Sequence, residues 1–106
     1  MLRLMPADFF GGHVMSFESS LGSVLRDLRI RRGWTQAHFD GVVSAQYLSD
    51  LEFGKRAPSL TVLRGICAHI GVELPTVLIL AAARDDVTLE AAELLHRVGQ
   101  EIDEFK

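Results

Sequence analysis

The chain has one cysteine, one tryptophan, one tyrosine and three prolines in 106 residues. A single thiol, Cys67, excludes an internal disulfide framework and, with no second cysteine to join it, a cysteine-rich zinc site. Cys67 reads instead as a small buried apolar residue of a chain kept in a reducing compartment. The apolar stretch at residues 77–83 falls far short of the roughly 18 residues that span a bilayer. The first residues scatter Arg3, Asp8 and Gly11-Gly12 among apolar positions and lack the unbroken apolar centre of a secretion signal. A soluble, cytoplasmic protein is therefore expected. Signatures of catalysis are missing as well. There is no phosphate-cradling glycine motif and no histidine pair at metal-ligand spacing, and His13, His38, His69 and His96 are too scattered along the chain to nominate a site. No enzymatic activity, cofactor or metal is expected.

What is present bounds the architecture. With 48% apolar side chains, 106 residues suffice for one compact domain with a modest core and one additional helix. The formal net charge of −3 hides a division along the chain. Residues 20–72 carry seven bases (Arg26, Arg29, Arg31, Arg32, Lys55, Arg56, Arg64) against four acids, a net of +3. Residues 73–106 carry three bases against eight acids, a net of −5. The acidic excess is confined to the end, where it keeps the surface soluble and weakens non-specific attraction to polyanions without touching the basic middle.

Taken in order, residues 1–19 show no sustained period and are expected to form an irregular arm, with Met15 a second candidate start. From Ser20, Leu21, Val24, Leu25 and Leu28 fall at helical spacing with arginines off the stripe, and Gly33 stops the helix. Residues 35–56 then read as two short helices. Thr35 and Ser44 are candidate caps, Trp34 and Val43 are the apolar residues before them, and Phe39 and Leu48 are the partners on which those pack. The second helix buries Leu48 and Leu51 and turns Ala45, Gln46, Ser49 and Asp50 outward, a small polar face suited to the floor of a DNA major groove. After a breaker-rich turn at residues 53–58, Ser59 caps a stripe of Leu60, Leu63, Ile66, Cys67 and Ile70 that Gly71 closes, with His69 at its edge. Pro75 opens a segment that is apolar nearly all round and needs cover on more than one side, for which a second copy of the chain is the expected source. A last helix over residues 88–105 carries Ala91, Leu95, Val98, Ile102 and Phe105 on one stripe. Leu78, Ile79, Leu95, Val98 and Ile102 are the candidate dimer contacts.

Several of these residues carry a resemblance. Leu28-Arg29, Gly33-Trp34-Thr35-Gln36, Tyr47 to Glu52 with Gly54-Lys55, Pro58-Ser59-Leu60 and Ile70-Gly71-Val72 together resemble the XRE, or phage-repressor-like, helix-turn-helix family over residues 21–72. The resemblance implies an all-α, five-helix DNA-binding domain, here at 20–74, followed by an additional C-terminal helical segment at 75–106 for dimerisation or interaction. By position, Ala45, Gln46 and Ser49, with the Ser44 cap, match base-contacting residues, and the Gln46 amide can pair adenine bidentately. Asp50 stands where the family often places a basic residue; its carboxylate would repel phosphate but could accept from a cytosine amine, which makes it a further base-contact candidate. Gln36 matches a phosphate-contacting and base-supporting glutamine, and Tyr47, Lys55 and Arg56 match phosphate contacts, to which the basic patch adds Arg31 and Arg32. Arg29 and Glu52 match a structural ion pair. The sequence between Phe39 and Ser44 is about two residues shorter than the family pattern, and Asp40 stands where a small apolar residue is expected. That implies a stubby second helix or a tighter turn at Asp40-Gly41. The expected function is a sequence-specific transcription regulator that binds a double-stranded DNA operator of two half-sites as a homodimer. The alternative is an antitoxin or interaction module whose C-terminal helices hold a different protein.

Overall fold

The computed structural model of the chain describes residues 16–106. His13, Met15 and the arm up to residue 15 lie outside them. Five α-helices and one 3-10 turn make up the described chain, with no strand among the described residues. The all-α architecture expected from the sequence is thus observed.

Helix α1 spans Phe17–Arg31. It starts before Ser20, because Ser16 sits in extended backbone and its hydroxyl accepts from the Ser19 amide at 3.1 Å. Its end is followed by Gly33 at φ +76°, as expected. The short second helix is a single 3-10 turn, Gln36–Phe39. Thr35 does not cap it through its hydroxyl. The turn closes through the backbone instead, with the Thr35 carbonyl accepting from the His38 N–H at 3.1 Å. The joint that follows is a type II turn. Asp40 lies at φ −53°, ψ 137°, Gly41 at φ +93°, and the Val42 N–H returns to the Phe39 carbonyl at 2.9 Å. Two residues therefore reverse the chain where a longer helix and loop would otherwise stand, and Asp40 stays in solvent while Phe39 is fully buried.

Helices α2 (Ala45–Glu52) and α3 (Leu60–Ile70) are both capped as their sequences suggest. The Ser44 hydroxyl accepts from the Tyr47 amide at 3.0 Å, and the Ser59 hydroxyl accepts from the Val62 amide at 3.1 Å. Gly71 at φ +88° ends α3, and α4 (Leu74–Asp85) leaves at 104° to it with Pro75 in its first turn. Helix α5 spans Ala91–Phe105, later than the expected start at Thr88. The reason is local: the Asp86 carboxylate accepts from both the Thr88 amide and the Thr88 hydroxyl, at 3.0 and 2.7 Å, which favours a turn over a helix there. Among the described residues no single helix is long and apolar enough to cross a membrane.

Helix α1 is the central element, packed on α4 along one side and on α2 along the other. Leu21, Val24 and Leu25 meet Leu48 and Leu51 from α2, Ile66 from α3 and Val77 from α4 in one core. At Gly22 the two backbones touch. A Cβ built there would lie 2.0 Å from the Leu51 carbonyl oxygen, so only glycine admits this approach of α2. The position of α2 thus depends on a missing side chain. Gly22→Ala is expected to destabilise the fold by about 1–3 kcal/mol or more, because the clash is with backbone and cannot be relieved by a rotamer change. Gly41→Ala meets nothing within 4 Å and should cost only its left-handed backbone strain, about 1–2 kcal/mol. Urea denaturation of both variants checks the order, and a Gly22→Ala variant as stable as the wild type would refute the close approach.

Candidate nucleic-acid interface

Helix α2 carries two faces. Leu48 and Leu51 are 1% exposed and point into the core, whereas Gln46 faces solvent with Ala45, Ser49 and Asp50 half-buried beside it. The outward side chains touch one another. The Gln46 amide donates from Nε2 to Asp50 Oδ1 at 3.0 Å, one helical turn on. The other carboxylate oxygen, Oδ2, lies 3.8 Å from Nε of Arg56. The Arg56 guanidinium in turn sits 4.5 Å above the Tyr47 ring, a cation–π contact. Lys55 is exposed beside Arg56. A small polar helix face, flanked by two cations and a phenol, is the result. Ser44 stands at its N-terminal edge with its hydroxyl already accepting from the Tyr47 amide.

The back of α2 is fastened by a charged cluster. Glu52 is 4% exposed and receives Arg29 in a bidentate pair, Nε to Oε2 at 2.6 Å and Nη2 to Oε1 at 2.9 Å. Gln36 adds a third donor, Nε2 to Oε1 at 3.1 Å, and Arg29 Nη1 also donates to the Trp34 carbonyl at 2.7 Å. The hydrogen-bonded Glu52 carboxylate raises the Arg29 guanidinium above its ordinary pKa, with burial acting against it. The ion pair expected from the family pattern is therefore present and extends to the turn before α2.

The remaining phosphate candidates divide. Arg31 is exposed at the end of α1. Arg32 donates from Nε to the Ile70 carbonyl at 3.0 Å, where a cation meets the negative end of α3. Gln36 is half-buried with its amide donor on Glu52. Arg32 and Gln36 thus already serve the fold, Arg56 is engaged by Asp50 and Tyr47, and Arg31 and Lys55 are exposed.

The candidate dimer residues divide likewise. Leu78 packs partly against the core, next to buried Val77 and Ala81. Ile79 and Leu95 line an apolar groove of about 420 Å³ between α4 and α5, together with Pro75, Leu80 and Ala91. Val98 is half-buried, and Ile102 is 54% exposed. The all-round apolar character of α4 is explained within the chain, by α1 on one side and α5 on another. Helix α5 itself buries no residue fully, and Leu95, Ile102 and Phe105 stay exposed along it.

Two clusters had no sequence signal. His38 Nδ1 and His69 Nε2, far apart in the chain, stand 2.9 Å from each other, with the Trp34 ring stacked on His38 at 4.0 Å and Phe39 against His69 at 4.6 Å. Histidines read as scattered are thus paired across the 3-10 turn and α3. Arg84 joins α4 to α1 by donating to Asp27 at 2.6 Å and to the Ser23 hydroxyl. The Gln46–Asp50 bond, by contrast, was legible as a four-residue spacing on one helix face. No cluster of three or more metal-ligating side chains occurs among the described residues. Cys67 is buried, and burial pushes its thiol pKa up, which keeps it protonated and unreactive.

A short turn-linked helix pair, with its second member seated across α1 and its polar face outward, defines a helix-turn-helix domain. The sequence profile of the helix-turn-helix family matches residues 25–77. Two crystal structures of the clp gene regulator ClgR from Corynebacterium glutamicum are similar to this chain. One is 33% identical over 80% of this chain and 92% of that one, with a TM-score of 0.66. The other is 34% identical over 65% of this chain and 92% of that one, with a TM-score of 0.61. No curated protein matches. The chain belongs to the helix-turn-helix family.

The cluster behind α2 gives a direct expectation. Glu52→Ala strands Arg29 and should cost about 3–5 kcal/mol, and Arg29→Ala should cost about as much by leaving a buried carboxylate. The double variant should lose clearly less than the sum of the two. A chemical-denaturation cycle measures this coupling, and strictly additive losses would show that the pair does not act as a unit.

Proposed function

We propose that this chain is a non-enzymatic, sequence-specific transcription regulator that binds double-stranded DNA as a homodimer. In this reading two α2 helices lie about one helical turn (~34 Å) apart in successive major grooves of a two-half-site operator. The carrying observation is the seating of α2. Its apolar side is held by Leu48, Leu51 and the Glu52 cluster, and its opposite side carries Gln46, Ala45 and Ser49, with the exposed cations Lys55 and Arg56 just beyond its C-terminal end. Gln46 and its neighbours would supply the choice of bases. Tyr47, Arg31, Lys55 and Arg56 would supply the sequence-independent affinity. The family membership and the likeness to a clp gene regulator support the same reading.

The second copy is assigned to α5. Leu95, Ile102 and Phe105 form an exposed stripe that the chain leaves uncovered, at 58%, 54% and 88% exposure. Sequestering such a stripe against its own copy removes apolar area from water and sets the spacing of two α2 helices. The same stripe is what favours the competing reading, in which α5 holds a different protein. Mass in solution separates them: a dimer that Leu95→Asp with Ile102→Asp converts to monomer supports the homodimer, and a wild-type monomer at micromolar concentration rejects it.

Selection of sites from random duplex by the purified protein tests the DNA reading itself, and failure to enrich any sequence would overturn it. Lys55→Ala with Arg56→Ala should weaken binding both to a selected site and to random duplex. It should also flatten the dependence of log affinity on log salt by roughly 0.9 for each phosphate that is no longer neutralised. An unchanged slope would remove both residues from the set that meets the phosphates.

A further inference from the structure

We infer that Asp50 is a specificity-determining positioning residue, which sets the orientation of the Gln46 amide for reading adenine and withholds Arg56 from indiscriminate phosphate contact. The inference rests on the DNA-binding reading above and concerns the same helix face. An ionised carboxylate only accepts hydrogen bonds, so the Gln46 amide must turn its NH₂ toward Asp50. The observed 3.0 Å bond runs that way, from Nε2 to Oδ1. This fixes which end of an otherwise freely flipping amide is which. One N–H and the Oε1 acceptor are left unspent, matching the N7 acceptor and N6 amine of adenine. The Gln36 amide is turned to Glu52, with Nε2 donating to Oε1 at 3.1 Å. The support for Gln46 comes from within α2, one turn further along.

The second oxygen of Asp50 acts on affinity. Oδ2 lies 3.8 Å from Arg56 Nε, and the Asp50 side chain is 21% exposed against 50% for Arg56. The guanidinium is drawn back over Tyr47 and beside Asp50, so a phosphate must compete with Asp50 for Arg56. A carboxylate on the reading face also repels any backbone brought near it out of register. Both effects depress binding to wrong duplexes more than to the right one, and specificity is that ratio.

Site selection by the full chain and its Asp50→Ala, Asp50→Asn and Gln46→Ala variants tests the proposal, with thermal melts confirming that each is folded. The wild type should enrich adenine at one base pair per half-site, by roughly 5- to 150-fold for a good bidentate contact. Gln46→Ala should lose that preference. Asp50→Ala should lose most of it at the same pair and leave the other positions alone. Asp50→Asn can donate as well as accept, so it no longer fixes the direction of the Gln46 amide and should lose part of the adenine preference. Both Asp50 variants free Arg56 and should bind random duplex more tightly, with a salt slope steeper by about one. The proposal is overturned if Asp50→Ala keeps the wild-type preference, if it alters a pair that Gln46→Ala does not touch, or if Asp50→Asn keeps the full wild-type preference. Wild-type protein that enriches no site overturns the DNA reading, and this inference with it, before any variant is compared.

Discussion

The architecture turns on one carboxylate. Glu52 is the only charged residue buried among the described residues, and it sits in the last turn of α2, where the helix's own carbonyl end already disfavours negative charge. It persists there because three donors converge on it, two from Arg29 and one from Gln36. Those donors come from α1 and from the 3-10 turn, so satisfying the charge fixes the relative positions of three elements at once. Arg29 extends the arrangement to the Trp34 carbonyl and so to the segment that leads into the turn. An apolar residue at position 52 could fill the space, but it would not demand one register. A carboxylate with three donors does.

That fastening explains how the domain tolerates so short a second helix. A single 3-10 turn provides few hydrogen bonds and little surface, and the type II turn after it needs glycine at its third position. Neither would locate α2 unaided. Placement comes instead from Leu48 and Leu51 in the core, from the backbone approach at Gly22, and from Glu52. The stub needs only to deliver Phe39 to the interior, where it is fully buried with Trp34 edge-on at 6.0 Å. Shortening the turn at Asp40-Gly41 therefore removes length without removing what aims the helix.

The sequence was most informative where structure depends on near neighbours. The apolar stripes, the serine caps at Ser44 and Ser59 and the glycine stops at Gly33 and Gly71 all follow from local rules, and all are present. Local rules misled where two short-range options compete. Thr35 has a capping side chain, but the 3-10 turn uses its carbonyl, and Thr88 is drawn into a turn by Asp86 before a helix can begin. Long-range assignments were the least legible. Arg32 and Gln36 are as fit for phosphate as for structure by residue type, and only the positions of Ile70 and Glu52 reveal the structural use. The meeting of His38 with His69 depends on the crossing of the 3-10 turn and α3, which no spacing in the chain announces.

The charge on the reading face carries the same logic outward. Residues 20–72 have a net charge of +3 and residues 73–106 one of −5, an inefficient way to build raw affinity for a polyanion. Within the acidic end, Arg97 and Lys106 are moreover paired to Glu93 and Asp103 of their own helix. On the proposed DNA-binding reading, phosphate attraction falls to a few side chains around α2, and Asp50 stands among them. Non-specific binding scales with the number of phosphates neutralised, whereas base contacts are made only in register. On the proposed reading, a carboxylate on that face of α2 forgoes affinity for every duplex. What it keeps is the difference between the right duplex and the rest, the quantity that matters when competing sites are many.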